Sequence, residues 1–414
     1  MSYSWAYVSL GEVCRIKPPK QEAKELLKET DMVSFVPMKN LGIREKFFSP
    51  MEERPFEKVS GSYTYFADGD VLLAKITPCF ENGKLGIARN LINGVGFGSS
   101  EFIVFRPKAG LNPEYLFYYL SQDSFRDIGQ RVMTGAVGHK RVPKDFIENH
   151  VIPLPSVQEQ KRLVTTLDEA FASIDAAIAN TEKNLANARE LFDNFLQTAL
   201  QNAMWEWKRL GELCGGVEYG SSTKSKDKGS VPVMRMGNIQ EGKLSWGDLK
   251  YSDDEVEIGR YRLKYDDVLF NRTNSPELVG KTAIYKSERP AIFAGYLIRI
   301  HRKEEFLDAN YLNYFLNSKI ARDYGKSVMT SSVNQANING TKLKEYPIPV
   351  PKLSQQKALV QRFNELFNEV KCLEAIYQQK NSALGELKQS LLQKTFSGEL
   401  TAEKAESEMD ESVA

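Results

Sequence analysis

The sequence predicts an α/β protein of the α+β kind, built from one unit used twice. Each unit is a mixed domain followed by a long helix. Three observations carry this. The stretch Pro153-Leu-Pro-Ser-Val-Gln-Glu-Gln-Lys-Arg-Leu-Val164 has a near copy at Pro349-Val-Pro-Lys-Leu-Ser-Gln-Gln-Lys-Ala-Leu-Val360, 349 − 153 = 196 residues further on. Shorter matches keep the same order through both halves, which is the signature of an internal repeat. After each copy of the phrase, apolar residues recur at spacings of three and four.

The matches run as follows. Leu10-Gly-Glu-Val-Cys14 corresponds to Leu210-Gly-Glu-Leu-Cys214, Met38-Lys-Asn40 to Met236-Gly-Asn238, and Asp70-Val-Leu72 to Asp267-Val-Leu269. Gly83-Lys84 corresponds to Gly280-Lys281, and Leu111-Asn-Pro-Glu-Tyr-Leu116 to Leu307-Asp-Ala-Asn-Tyr-Leu312. Met133-Thr134 corresponds to Met329-Thr330, and Ile152-Pro-Leu-Pro155 to Ile348-Pro-Val-Pro351. The offset falls from 200 at the first pair to 196 at the last, so small insertions lie in early loops.

Within each mixed domain, β-like runs such as Asp70–Ala74, Phe102–Phe105 and Tyr296–Ile300 alternate with loops rich in Gly, Asn, Ser and Thr. An amphipathic helix is expected from Pro113 and from Asn310, the proline suiting a first turn. The long helices come next. Pro155 stands just before the first, and Ser156-x-x-Glu159 reads as a capping box. Lys352 replaces the serine in the second copy, which weakens that start.

The predicted seam of the first helix is Leu163, Leu167, Ala170, Ile174, Ile178, Leu185, Ala188, Phe192 and Phe195, with a one-residue slip near Ile178 that suits a stutter. That of the second is Leu359, Phe363, Leu366, Val370, Leu373, Tyr377, Leu384, Leu387 and Leu391. Two such rods bury their seams on each other. Duplicated units commonly pair by a pseudo-two-fold, which makes an antiparallel coiled coil the expectation.

Composition bounds the rest. A chain of 414 residues has room for two to four domains. No apolar run approaches the roughly 20 residues that cross a bilayer. The opening MSYSWAYVSLGEV has no basic start with an apolar stretch behind it, so a cytoplasmic protein is expected. Four cysteines (Cys14, Cys79, Cys214, Cys372) make no C-x-x-C pair and read as buried free thiols. The net charge of +1 leaves room for a local basic face, because the stretch from Glu399 to the C-terminus is acidic and reads as a disordered tail.

No catalytic constellation is legible. Gly280-Lys281-Thr282 resembles the end of a phosphate loop, but Ser275 stands where the first glycine belongs. Asn112-Pro-Glu-Tyr115 lacks the second proline of the amino-methyltransferase tetrapeptide and reads as a helix start. His139 falls in a polar loop, while His150 and His301 read as surface or strand-edge residues.

What remains is a repeated scaffold with dissimilar loops. The candidate DNA-contacting residues in the first copy are Lys75, Thr77, Asn82, Lys84, Arg131, Thr134, His139, Lys140 and Arg141. Those in the second are Lys224, Lys226, Arg235, Arg272, Asn274, Lys281, Ser331, Asn334, Gln335 and Asn337. Arg and Lys suit guanine edges, Asn and Gln suit adenine, and Lys, Ser and Thr suit phosphates. Different loops on one scaffold suggest two different half-sites.

The chain resembles the specificity subunit of type I restriction–modification systems. The resemblance rests on Trp5-x-x-x-x-Leu-Gly-Glu12, on Ile-Pro-x-Pro…Gln-x-x-Leu-Val in both copies, and on Leu391-Leu-Gln-Lys-Thr-Phe-Ser-Gly-Glu-Leu400. It implies target recognition domains over 1–152 and 204–348, spacer helices over 153–203 and 349–398, and a tail over 399–414. It further implies that the chain is not an enzyme. It would bind double-stranded DNA, two methyltransferase (modification) subunits and two ATP-dependent restriction subunits. No cofactor would be held by this chain; S-adenosylmethionine, ATP and Mg2+ would belong to the partners. The alternatives are an enzyme in its own right, which the missing motifs oppose, and a coiled-coil interaction scaffold without DNA readout.

Overall fold

The computed structural model describes residues 5–48, 52–332 and 335–400. Asn334 and the acidic residues beyond 400 lie outside them. The chain divides into two compact units that cut across its linear order. The first takes residues 1–181 and 379–414, the second 182–378. Each unit therefore holds one mixed domain, half of the first long helix (Val157–Leu200) and half of the second (Leu353–Ser397).

In the first unit the central sheet runs Cys14–Ile16, Phe102–Pro107, Val71–Ala74, Leu85–Ala88, Phe47–Phe48. The second unit repeats that order with Cys214–Tyr219, Leu297–Arg302, Val268–Asn271, Thr282–Ile284 and Lys243–Leu244, then adds Ile239–Gln240 at the edge. The registers agree as well. Val71 lies opposite Phe105, and Val268 opposite Ile300. The central strands are buried on both faces, which explains why they read as unbroken apolar runs rather than alternating ones. Gly83 and Gly280 both take positive φ, +75° and +90°, so the shared Gly-Lys is a turn in each domain.

The helix starts fall where the sequence places them. Asn112 caps Pro113–Leu120 through the amides of Glu114 and Tyr115, and Asp308 caps Ala309–Asn317 through those of Asn310 and Tyr311.

The duplicated phrase has a structural job. Gln160 and Gln356 are completely buried. The Gln160 side chain donates to the carbonyls of Gly110 and Pro155, both at 2.8 Å, and accepts from the Asn112 amide at 2.8 Å. Gln356 donates to Phe306 and Pro351 and accepts from Asp308, again all at 2.8 Å. Tyr115 and Tyr311 donate from their hydroxyls to the Pro153 and Pro349 carbonyls. Each phrase thus clamps its long helix onto the capped end of a domain helix, with no buried amide group left unpaired.

The long helices pair antiparallel inside each unit. In the second unit the contacts Arg189–Glu374, Phe192–Phe367 and Phe195–Phe363 rise along one helix and fall along the other. In the first, Leu163, Leu167, Leu392 and Phe396 share one core, and Lys388 meets Asp175 and the Phe171 ring.

The seam itself needs correcting. Leu373 and Leu387 are exposed, at 38 % and 45 %, while Glu374 and Lys388 lie inward beside them. Thr181 is buried and carries the 3–4 spacing past Ile178, so the first helix has no stutter there. The cause is the same in both cases. Glu374, Asn381 and Lys388 keep the strict seven-residue repeat, while the neighbouring leucines drift off it. An apolar-only reading follows the leucines.

The expectation of buried thiols holds for two of the four cysteines. Cys14 and Cys214 are buried, and burial pushes the Cys14 thiol up to about 12, but Cys79 is half-buried and Cys372 exposed. His150 stands at the edge of the strand Val151–Leu154, half-buried, with its ring packed among Phe125, Phe146 and Tyr119.

Candidate nucleic-acid interface

In each domain two of the loops singled out in the sequence meet at one junction. In the first, Ile76 and Thr134 both bridge to Arg141, and the Thr77 amide donates to the Lys140 carbonyl at 2.9 Å. The segments around 75–84 and 131–141 are therefore side by side. In the second, Thr273–Asn274, Gln335–Asn337 and Thr330–Ser332 form a three-stranded sheet. Thr273 and Thr330 both pair with Asn337, as Ile76 and Thr134 do with Arg141. One frame thus brings together different side chains.

Those side chains are not equally available. Arg131, Thr134, His139 and Lys140 are exposed on the first junction, and Asn82 is exposed beside it. Arg141 is exposed but held by Glu101 in a two-point ion pair at 2.8 and 2.9 Å. That pair is the leading reason the Glu101 carboxyl sits below the usual carboxylate range. Lys75 donates to the Ser100 carbonyl, and burial lowers its ammonium pKa. Lys84 donates to the carbonyls of Met38 and Leu41 and so serves as a cap. Thr77 donates to Glu81.

In the second domain Ser331 and Gln335 are exposed on the small sheet. Asn337 donates to Thr273, while Asn274 accepts from the Ser275 amide. Arg272 lies over the Tyr219 ring, 4.9 Å from its centroid. Lys226 pairs with Asp253 and Arg235 with Asp248, both on the neighbouring sheet rather than on the junction. Lys224 is exposed. Lys281 lines a cavity of about 710 Å³ between the second domain and its helix pair, with Arg189, Lys243, Tyr314, Asn317 and Phe367. Tyr219 opens the polar stretch 219–228, and its contact with Arg272, 53 residues away (272 − 219 = 53), comes only with the fold.

A repeated α/β domain on an antiparallel helix pair, with polar loops gathered at the same corner of each copy, is the architecture of a two-part reader. The model of the type I restriction–modification DNA specificity domain matches residues 3–186 and 202–380, and the chain belongs to that family. It is a specificity subunit of a type I restriction–modification system with two recognition domains. The EcoEI specificity subunit of Escherichia coli is 26 % identical over 88 % of this chain and 77 % of its own length. The EcoDI specificity subunit of the same species is 30 % identical over 83 % and 84 %. The HsdS subunit of Thermoanaerobacter tengcongensis shares the fold, with a TM-score of 0.57 at 19 % identity over 96 % of this chain and 98 % of that one. A chain from a solved structure on the assembly and conformational transition of a type I system gives 0.78 at 20 % identity, over 95 % and 98 %.

Proposed function

We propose that each recognition domain reads one half of a bipartite, asymmetric site in double-stranded DNA through its loop junction. The helix pair fixes the gap between the halves and docks two modification subunits. Two ATP-dependent restriction subunits complete the assembly. The chain supplies no catalytic group, and S-adenosylmethionine, ATP and Mg2+ are held by the partners. The work is done in the cytoplasm; among the described residues no helix is long and apolar enough to cross a membrane.

One observation carries this reading. The two junctions share their backbone pairing, Ile76/Arg141 against Thr273/Asn337, while their side chains differ. Equal frames with unequal loops suit two unlike half-sites, since base edges are told apart by donor and acceptor pattern.

The test is the methylome of a host expressing this chain with its modification subunit. A bipartite motif is expected. Replacing residues 205–348 with those of a relative should change one half and leave the other. A change in both halves would sink the modular account, and no DNA binding with the modification subunit present would favour a plain scaffold.

A further inference from the structure

The duplicated frame puts a basic residue at one equivalent place in both domains. Lys75 and Arg272 each follow directly on a central strand, Val71–Ala74 or Val268–Asn271. Their backbones are held alike. The Lys75 amide donates to the Glu101 carbonyl at 2.9 Å, and its own carbonyl accepts from Val142 at 3.0 Å. The Arg272 amide donates to the Tyr296 carbonyl at 3.0 Å, and its carbonyl accepts from Ile338 at 2.9 Å.

The side chains are used differently. Lys75 spends its ammonium on the Ser100 carbonyl. Arg272 has neither an ion pair nor a side-chain hydrogen bond among the described residues, and its Nε is buried without a partner. Its guanidinium lies over Tyr219, whose hydroxyl is itself fixed by accepting from the Gly340 amide at 2.7 Å. With Nε buried, the two terminal nitrogens are the donors left to reach a ligand.

A guanidinium fixed on an aromatic face loses little freedom on binding, and its planar fork matches two acceptors side by side. Guanine offers such a pair, O6 and N7, in the major groove. Arg272 leads directly into Thr273–Asn274 of the small sheet, where Ser331 and Gln335 are exposed. These neighbours are of the base-reading type, and among the described residues no carboxylate pairs with the arginine.

We propose that Arg272, held on Tyr219, reads a guanine in the half-site addressed by the second domain. This rests on the DNA-recognition reading above.

The test uses the chain in complex with its modification subunits. The wild-type motif is determined first by methylation sequencing and by binding selection. Arg272→Lys and Arg272→Ala are then compared with it. In both, discrimination at one G·C pair of the second half-site should fall tenfold or more, with the first half-site unchanged. Lysine keeps the charge but not the fork, so it should not restore the base preference. Tyr219→Leu should relax the same position to a smaller extent. Thermal midpoints identify any variant that fails to fold, and the lysine variant then decides.

A second half-site without a G·C pair would overturn the proposal. So would an unchanged motif in the lysine variant, or a loss of affinity uniform across sequences that lysine restores, which marks a phosphate contact. A wild-type complex with no bipartite motif would instead defeat the DNA-recognition reading itself.

Discussion

The two recognition domains share a hydrogen-bonding frame and differ in what they hang on it. Leu10 donates its amide to the His150 carbonyl, and Leu210 donates to Tyr346, so these two aromatic residues hold one place in the frame. One ring is an imidazole, whose pKa burial lowers from its ordinary value, and the other is a phenol, whose pKa burial raises. Likewise Tyr118 donates to Asp168, which also holds Lys46 at 2.7 Å, whereas Tyr314 donates to Asn364 at 2.7 Å. At this one place the domain-to-helix contact is ionic in the first unit and neutral in the second, whose ion pair to the helix, Glu241 with Lys371, lies elsewhere. Backbone pairing and buried amides thus set the geometry, and side chains at the same places remain free to differ in charge and titration.

The largest expected effect tests the shared part. Gln160→Met and Gln356→Met each remove a buried amide that satisfies three backbone groups. Each should cost about 3 kcal/mol, read by denaturant unfolding. A cost confined to one unit would break the equivalence of the clamps.

The next sharpens the difference at the domain-to-helix contact. Asp168→Ala should cost about 1.5 kcal/mol, less at high salt, and Asn364→Ala about 1 kcal/mol at any salt. Equal salt responses would show that the ionic character of the first contact does not matter.

Helix starts differ by less. Ser156 accepts from the Glu159 amide at 3.2 Å, and Ser156→Ala should cost about 1 kcal/mol with the recognised motif unchanged. The second helix lacks that cap, but Gln355 accepts from the Lys352 amide at 3.1 Å, so half of the box survives there. An altered motif in Ser156→Ala would mean that the phrase itself touches DNA.

The smallest effect separates the units by pH. Burial holds the His150 imidazole below its ordinary value of 6.5, so the folded domain favours the neutral ring. The stability this brings is complete above 6.5 and is lost as pH falls below it, because the unfolded chain then takes up a proton more readily. Hydrogen exchange should show the first unit loosening before the second, and His150→Tyr should remove that difference. Parallel loosening of both units would refute the assignment to His150.

The sequence by itself determined the duplication, the domain helices with their Asn112 and Asp308 caps, and the loops that gather at each junction. These signals are local: a capping residue, a glycine turn, a run of apolar residues, a phrase repeated at a fixed offset. Tertiary structure alone decided which of the chosen side chains are free. Lys84 and Arg141 read as DNA contacts, yet Met38, Leu41 and Glu101 occupy them, and those partners are 46, 43 and 40 residues away. Tertiary structure also decided the seam. A heptad position inside a helix pair can hold Glu374 or Lys388 when Arg189 or Asp175 stands opposite on the other helix, and no apolar pattern records that. Gln160 and Gln356 teach the same lesson, since a glutamine's value depends on three backbone groups that only the folded chain brings to it.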